Sequence, residues 1–125
     1  MEFPQDKFKP KKDRYAKRRG GPSSFLYITC ANCEEPKMVY QKDGKGRLLR
    51  CYTDRIAWPP ELVEEQSEIS VETIKEIGSI VCSACNSELA VPMVYEQENR
   101  PAYRLIPGSV HKYRSPEQAK NREKD

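Results

Sequence analysis

The sequence predicts a small, mostly-β domain: two β-hairpins around one four-cysteine metal site, with a short helical segment and disordered basic ends. Three observations predict it. Cys30-Ala31-Asn32-Cys33 and Cys82-Ser83-Ala84-Cys85 form two C-x-x-C pairs with 48 residues between them. Short β-branched and aromatic runs flank both pairs. With 125 residues, 37% of them hydrophobic and 33% charged, there is room for one domain with a thin core.

The cysteine pairs carry the strongest signal. One C-x-x-C holds two thiolates on a tight turn, and the second pair completes a tetrahedron. The reading is structural zinc, one ion per chain, held by Cys30, Cys33, Cys82 and Cys85. Binding at such a site is worth on the order of 10 kcal/mol or more, and that is folding free energy. It would offset the thin core. The start of the chain has no apolar signal region, and no apolar run approaches the roughly 20 residues needed to cross a membrane. A cytoplasmic setting is therefore expected, where paired cysteines hold metal rather than disulfides. A thioredoxin-like redox pair would need a βαβ context, which this sequence lacks.

Charge divides the chain. Residues 1–24 carry eight Lys/Arg against three Asp/Glu, a net of +5. Residues 25–110 carry nine against thirteen, a net of −4, and residues 111–125 five against three, a net of +2. Residues 1–24 are read as a disordered basic tail, because their apolar residues are too sparse to offset ordering. Gly20-Gly21-Pro22-Ser23-Ser24 places the boundary near residue 24. The domain is then 25–110, with 54–78 an acidic insertion, followed by a charged tail at 111–125.

Within the domain, Phe25-Leu26-Tyr27-Ile28-Thr29 reads as a strand feeding the first cysteine turn. Met38-Val39-Tyr40-Gln41-Lys42 is the next strand, and Asp43-Gly44 predicts a hairpin returning through residues 47–53. Trp58-Pro59-Pro60 ends that strand. A short helical turn fits after Pro60. Ser70 and Gly78 suit the ends of a helix over 71–77, although a β reading fits almost as well. Ser79-Ile80-Val81 leads into the second cysteine pair. Strands at 89–91 and 93–95 are separated by Pro92, and a turn at 97–101 precedes a last strand at 102–106. Residues 116–124 suit a frayed helix. Met38-Val39-Tyr40 and Met93-Val94-Tyr95 give the halves a similar plan, at unequal distances from their cysteines.

Two C-x-x-C turns, each leading into a β-hairpin, resemble the zinc ribbon family over residues 25–107. The stretch Tyr40-Gln41-Lys42-Asp43-Gly44 is similar to one in small uncharacterised prokaryotic four-cysteine zinc-ribbon proteins. The resemblance implies the fold and the four ligands and implies no activity. Zinc ribbons often place glycine after the second cysteine, where this chain has Glu34 and Asn86. Asparagine tolerates positive φ better than glutamate, so the first turn is expected to be the less regular. Rubredoxin-like iron sites usually carry those glycines, so their absence favours zinc.

The functional expectation is a non-enzymatic binding protein that docks on RNA or a ribonucleoprotein. Lys7, Lys9, Lys11, Lys12, Arg14, Lys17, Arg18 and Arg19 would neutralise phosphates, with Phe8 and Tyr15 available to stack on unpaired bases. Lys42, Lys45, Arg47 and Arg50 cluster on one predicted hairpin, and the first three are read as a second phosphate-facing surface. The bland alternatives are a solubilising arm and lysines that guard a strand edge. RNA is preferred to DNA because no recognition helix is apparent. The alternative function is a protein-interaction adaptor, for example in transcription machinery, with residues 58–77 contacting the partner. Cys51 reads as a buried strand residue and His111 as an exposed one. The glutamates at 61, 64, 65, 68, 72 and 76 read as a solvated face. No nucleophile, phosphate-binding glycine loop or open metal position accompanies them, so neither an enzyme nor a small-molecule substrate is expected.

Overall fold

Two four-stranded antiparallel sheets make up the structure, a computed structural model describing residues 2–5 and 7–121. The strands are β1 (Ser23–Cys30), β2 (Pro36–Asp43), β3 (Arg50–Tyr52), β4 (Ile56–Trp58), β5 (Ile80–Val81), β6 (Glu88–Tyr95), β7 (Arg100–Leu105) and β8 (Val110–Tyr113). The first sheet has the order β4-β2-β1-β8 and the second β3-β7-β6-β5. Three short helices accompany them: α1 (Arg14–Arg19), α2 (Pro60–Ser67) and α3 (Pro116–Asn121). Each sheet contains one strand–cysteine turn–strand unit, β1–β2 and β5–β6.

The alternation of β1 explains the layers. Leu26 and Ile28 face inward, with Met38 and Tyr40 of β2, onto a core shared with Leu48, Cys51 and Ile56. Leu105 and Ile80 of the second sheet pack against the same core. The backbone N–H of Tyr52 donates to the buried Tyr40 hydroxyl at 2.7 Å, which satisfies that polar group where the sheets meet. Phe25 and Tyr27 face the other way, with Val39 and Trp58. The first sheet is therefore apolar on both faces, and its outer face has to be covered.

The N-terminal segment covers it. Phe3 is 8% exposed and meets Tyr27 edge-on at 5.3 Å, while Phe8 lies against Phe25 at 5.6 Å. Burying such a ring is worth roughly 1.5–3 kcal/mol. Asp13 caps α1 by accepting from the N–H groups of Tyr15 and Ala16, and Gly20, at φ +70°, closes it. The expectation of a disordered tail over residues 1–24 is thus corrected for its described residues. The segment has few apolar residues, but the ones it has are spaced to fill one open sheet face.

Three further expectations change. Asp43-Gly44 does not turn β2 back on itself: β2 pairs with β1, and the chain crosses through Gly44 and Gly46 to the second sheet. The Asp43 carboxylate is committed to Ser23, Gln41 and Arg55. A Cβ on Gly44 would stand 2.8 Å from Arg19 Cβ, so glycine permits α1 to seat there. Residues 54–78 are no insertion, because β4 joins the first sheet and α2 packs Leu62 and Val63 on the core. The helix expected over 71–77 is only a 3-10 turn at Ile74–Glu76, and Gly78 has no positive φ. Ile74 and Ile69 still point inward, against Tyr103 and Ala90.

Pro92 does not break its strand. β5 pairs with β6 only near Glu88 and Ala90, so β6 has an open edge at Pro92, and a missing N–H there costs no ladder bond. Residues 110–121 are built into the fold as β8 and α3, and the expected helical continuation to 124 lies outside the described residues. Among the described residues no helix is long and apolar enough to cross a membrane.

Candidate metal centre and basic cleft

Strand β1 delivers Cys30 and β5 leads to Cys82, and the two turns that follow share one hydrogen-bond plan. The Cys30 N–H donates to Glu35 O at 3.0 Å and the Glu34 N–H to Cys30 O at 2.8 Å. In the second turn the Cys82 N–H donates to Ser87 O at 2.8 Å and the Asn86 N–H to Cys82 O at 2.7 Å. Glu34 has φ 64° and Asn86 φ 65°. The first turn is therefore as regular as the second, against expectation: the paired hydrogen bonds impose the left-handed residue whatever its side chain.

The four sulfurs come together. Cys30 Sγ is 3.6 Å from Cys85 Sγ, Cys33 Sγ is 3.6 Å from Cys82 Sγ, and all four lie within 4.8 Å of one another. Metal–sulfur bonds of about 2.3 Å give a tetrahedral shell with sulfur–sulfur edges of about 3.8 Å. The donor set fits a metal ion held between the sheets. Cys30 and Cys82 are fully buried against Leu89, while Cys33 is exposed. The Ala31 N–H bonds Ser109 O at 2.9 Å, and Ser109 Oγ donates to Leu89 O at 2.8 Å, bracing the site from the β7–β8 connection.

Four thiols this close cannot ionise equally without a cation among them. The Asn32 side chain and Ser87 bring the Cys85 thiol down to about 6. Burial opposes ionisation of Cys82, but the backbone N–H groups of Cys85 and Ala84 lower it on balance. At Cys33 the Glu35 N–H favours the thiolate, yet partial desolvation by the surrounding atoms and the neighbouring thiols prevail and push it up to about 12. A bound cation would hold all four as thiolates, a shell with no exchangeable position. Cys51 sits apart, fully buried, its thiol pushed up to about 12 by burial. It is a core residue, as its strand position suggests. His111 pairs with Thr29 across the sheet, and its Nδ1 lies 3.1 Å from Glu34 Oε1, outside the four-sulfur group.

The basic residues expected to contact nucleic acid fall into two groups. Of those on α1 and before it only Arg19 is half-buried; the others are exposed, although Lys11, Arg14 and Arg18, like Arg19, have partners within the chain. Lys11 donates from its backbone to Gln41 Oε1 and from Nζ to Asp54 O, each at 2.7 Å. Arg14 lies over the Tyr15 ring at 4.9 Å. Arg18 and Arg19 reach Glu98 at 3.6 and 2.8 Å, and Arg19 also donates to the Tyr52 hydroxyl. Lys9, Lys12 and Lys17 are exposed.

These contacts belong to a charge clasp that sequence reasoning missed. Arg55, with its side chain 1% exposed, contacts Asp43 at 2.8 Å, Asp13 at 2.6 Å and Asp54 at 3.3 Å. Arg100, 4% exposed, contacts Asp54 at 2.9 Å and Glu98 at 3.1 Å. Its guanidinium lies between the Tyr15 and Tyr52 rings, 3.9 and 3.7 Å from their centroids. Hydrogen bonding to Arg55 holds the Asp13 carboxyl at about 2, against burial. Burial also works against charge on Asp43, but bonds from Ser23, Arg55 and Gln41 keep it below the ordinary carboxylate range.

The second group converges on a cleft of about 1010 Å3. Lys7, Lys42, Lys45 and Arg47 line it, joined by Lys112 and Arg114, two apart on the run into and out of the end of β8. Among the described residues that line it, Glu117 is the one acidic residue. The i, i+2 spacing of Lys112 and Arg114 was the available signal, and it reads as one face of a strand only once residue 110 is known to begin one.

In comparisons with known proteins, no family model, no curated protein and no solved structure matches this chain. Its site is therefore interpreted from its own geometry.

Proposed function

We propose that this chain is a non-enzymatic, zinc-stabilised protein that docks on RNA or a ribonucleoprotein surface. Zinc is the metal of choice for a closed tetrahedral set of four thiolates, in the manner of a zinc ribbon. Its role here is structural, because four protein ligands leave no position for a substrate. The reading carries with it a reducing, cytoplasmic setting, where closely spaced thiols persist.

The observation that carries the RNA reading is the cleft. Among the described residues, six cationic side chains and one carboxylate line it, together with Phe8, Phe25 and Tyr27. Cations gathered around a groove neutralise phosphates and release counterions, while aromatic faces add stacking. This moves the docking surface from a flexible arm to a preformed groove.

The test is RNA affinity against salt for the zinc-loaded chain and for a Lys45→Glu, Arg47→Glu variant. The variant is expected to bind more weakly, with a salt slope shallower by about 1–2 units. Lys12→Glu with Lys17→Glu, outside the cleft, should change the slope little. An unchanged slope in the first variant would sink the cleft. A salt-resistant protein partner with no RNA, after purification from the source cell, would replace this reading with the protein-adaptor one.

A further inference from the structure

The cleft is built around an incomplete strand edge. β8 pairs with β1 only from Tyr27 to Cys30. Ser24, Phe25 and Leu26 have no strand neighbour on that side, and all three line the cleft. In an antiparallel strand every second residue turns its N–H and C=O to one edge, so on this edge the stretch has backbone groups with no strand partner among the described residues.

Strand parity makes the two sides of that edge chemically different. Phe25 and Tyr27 belong to the outer face, where Phe8 packs on Phe25 with the rings tilted by 43°. Leu26 belongs to the inner face. Lys42 has the parity of Met38 and Tyr40, and Lys112 pairs with inward-facing Ile28, so both stand on the inner side. The Lys112 ammonium donates to Leu48 O at 3.4 Å, which brings the Lys45–Arg47 loop to the same rim. The cleft thus has a cationic side, an aromatic side and a polar backbone edge between them.

Resting on the RNA reading above, we infer that the cleft takes a single-stranded RNA segment, with phosphates on the Lys42–Arg47–Lys112 side and bases on the Phe8–Phe25 side. A single strand has this asymmetry, with charge along one edge and unpaired base faces along the other. A duplex hides its base faces in its own stack and offers a cleft phosphates, 2′-hydroxyls and groove edges instead. The open backbone of residues 24–26 lies where base edges would reach it. Phe8, half-buried against Phe25, keeps part of its surface in the cleft lining.

The experiment uses the full zinc-loaded chain and a labelled ten-nucleotide RNA of mixed sequence, alone and annealed to its complement, read by fluorescence anisotropy. The single strand is expected to bind at least about tenfold more tightly than the duplex. Phe8→Ala should weaken the single strand by about 5- to 100-fold, the range for loss of one base–aromatic stack. It should leave duplex binding within about twofold, and Phe8→Trp should restore the single strand. A thermal melt of each variant separates stacking from folding. Equal affinity for duplex and single strand, or equal loss for both in Phe8→Ala, would overturn the inference while leaving RNA binding in place. No salt-dependent binding of either RNA would overturn the RNA reading and this inference together.

Discussion

The cysteine end and the arginine end of the molecule join the same two sheets by different means. At one end of the β1–β2 and β5–β6 hairpins four sulfurs gather within 4.8 Å. At the other, Asp43 closes β2, Arg100 opens β7, and Arg55, Asp13 and Asp54 knit them together. Eight residues of β1, roughly 25 Å at about 3.3 Å per residue, separate the two ends. The cysteine end needs four side chains and a cation. The arginine end needs complementary charges from four separate parts of the chain, paired around two buried guanidiniums. A domain this thin in apolar residues is held by both, and the difference lies in how each fails.

The largest expected effect is at the metal. Chelation at neutral pH, or Cys82→Ser, should abolish cooperative folding, since such sites supply on the order of 10 kcal/mol. Near-ultraviolet circular dichroism and urea unfolding check it. A chelated chain that keeps its melting temperature would show that the charge clasp alone sustains the fold.

Next comes Arg55→Met, which strands Asp43 and Asp13 without their cation. Breaking a buried pair from one side costs about 3–5 kcal/mol. Urea unfolding should register that loss while metal content stays at one ion per chain. At this separation the two ends should be additive. Loss of metal in this variant would mean that the ends are coupled.

The smallest effect concerns pH. Asp13 sits at about 2 in the fold against an ordinary 3.8. A depressed carboxylate contributes stability that is complete above the ordinary value and fades as pH falls towards the folded one. The stability difference between the native chain and Asp13→Asn should therefore hold steady from pH 7 to about 4, then shrink towards pH 2. Asp13 is 38% exposed, and solvent screening limits the difference to about 1 kcal/mol or less. A difference that shrinks already above pH 5 would show that the Asp13 carboxyl is not the titrating group, since the cysteines are common to both proteins and cancel.

Much of the cysteine end is legible in the chain. Two C-x-x-C pairs single out by spacing alone the four cysteines that cluster, and the strand runs beside them are local patterns. Even there, the turn conformation at Glu34 depends on its hydrogen bonds rather than on residue preference. The arginine end was illegible. Arg55 is one basic residue among many until Asp43, twelve positions earlier, and Asp13, forty-two earlier, are brought beside it. Arg18 and Arg19 look like free phosphate-binders because their partner, Glu98, lies about eighty residues away. Strand β1 did carry a clue: Phe25-Leu26-Tyr27-Ile28 is apolar at consecutive positions, the pattern of a strand buried on both faces. Something had to cover the second face, and Phe3 and Phe8 do so.

By itself, then, the sequence determined which four cysteines gather into a group that could hold a metal, the mostly-β class and the surplus of positive charge. These depend on spacing within a few residues or on totals, which the chain carries whatever its path. Tertiary structure alone decided which cations are spent. It sent Arg18, Arg19, Arg55 and Arg100 into the clasp and left Lys42, Lys45, Arg47, Lys112 and Arg114 around the cleft. The physical reason is that pairing a charge depends on distance in space, and strand order sets that distance.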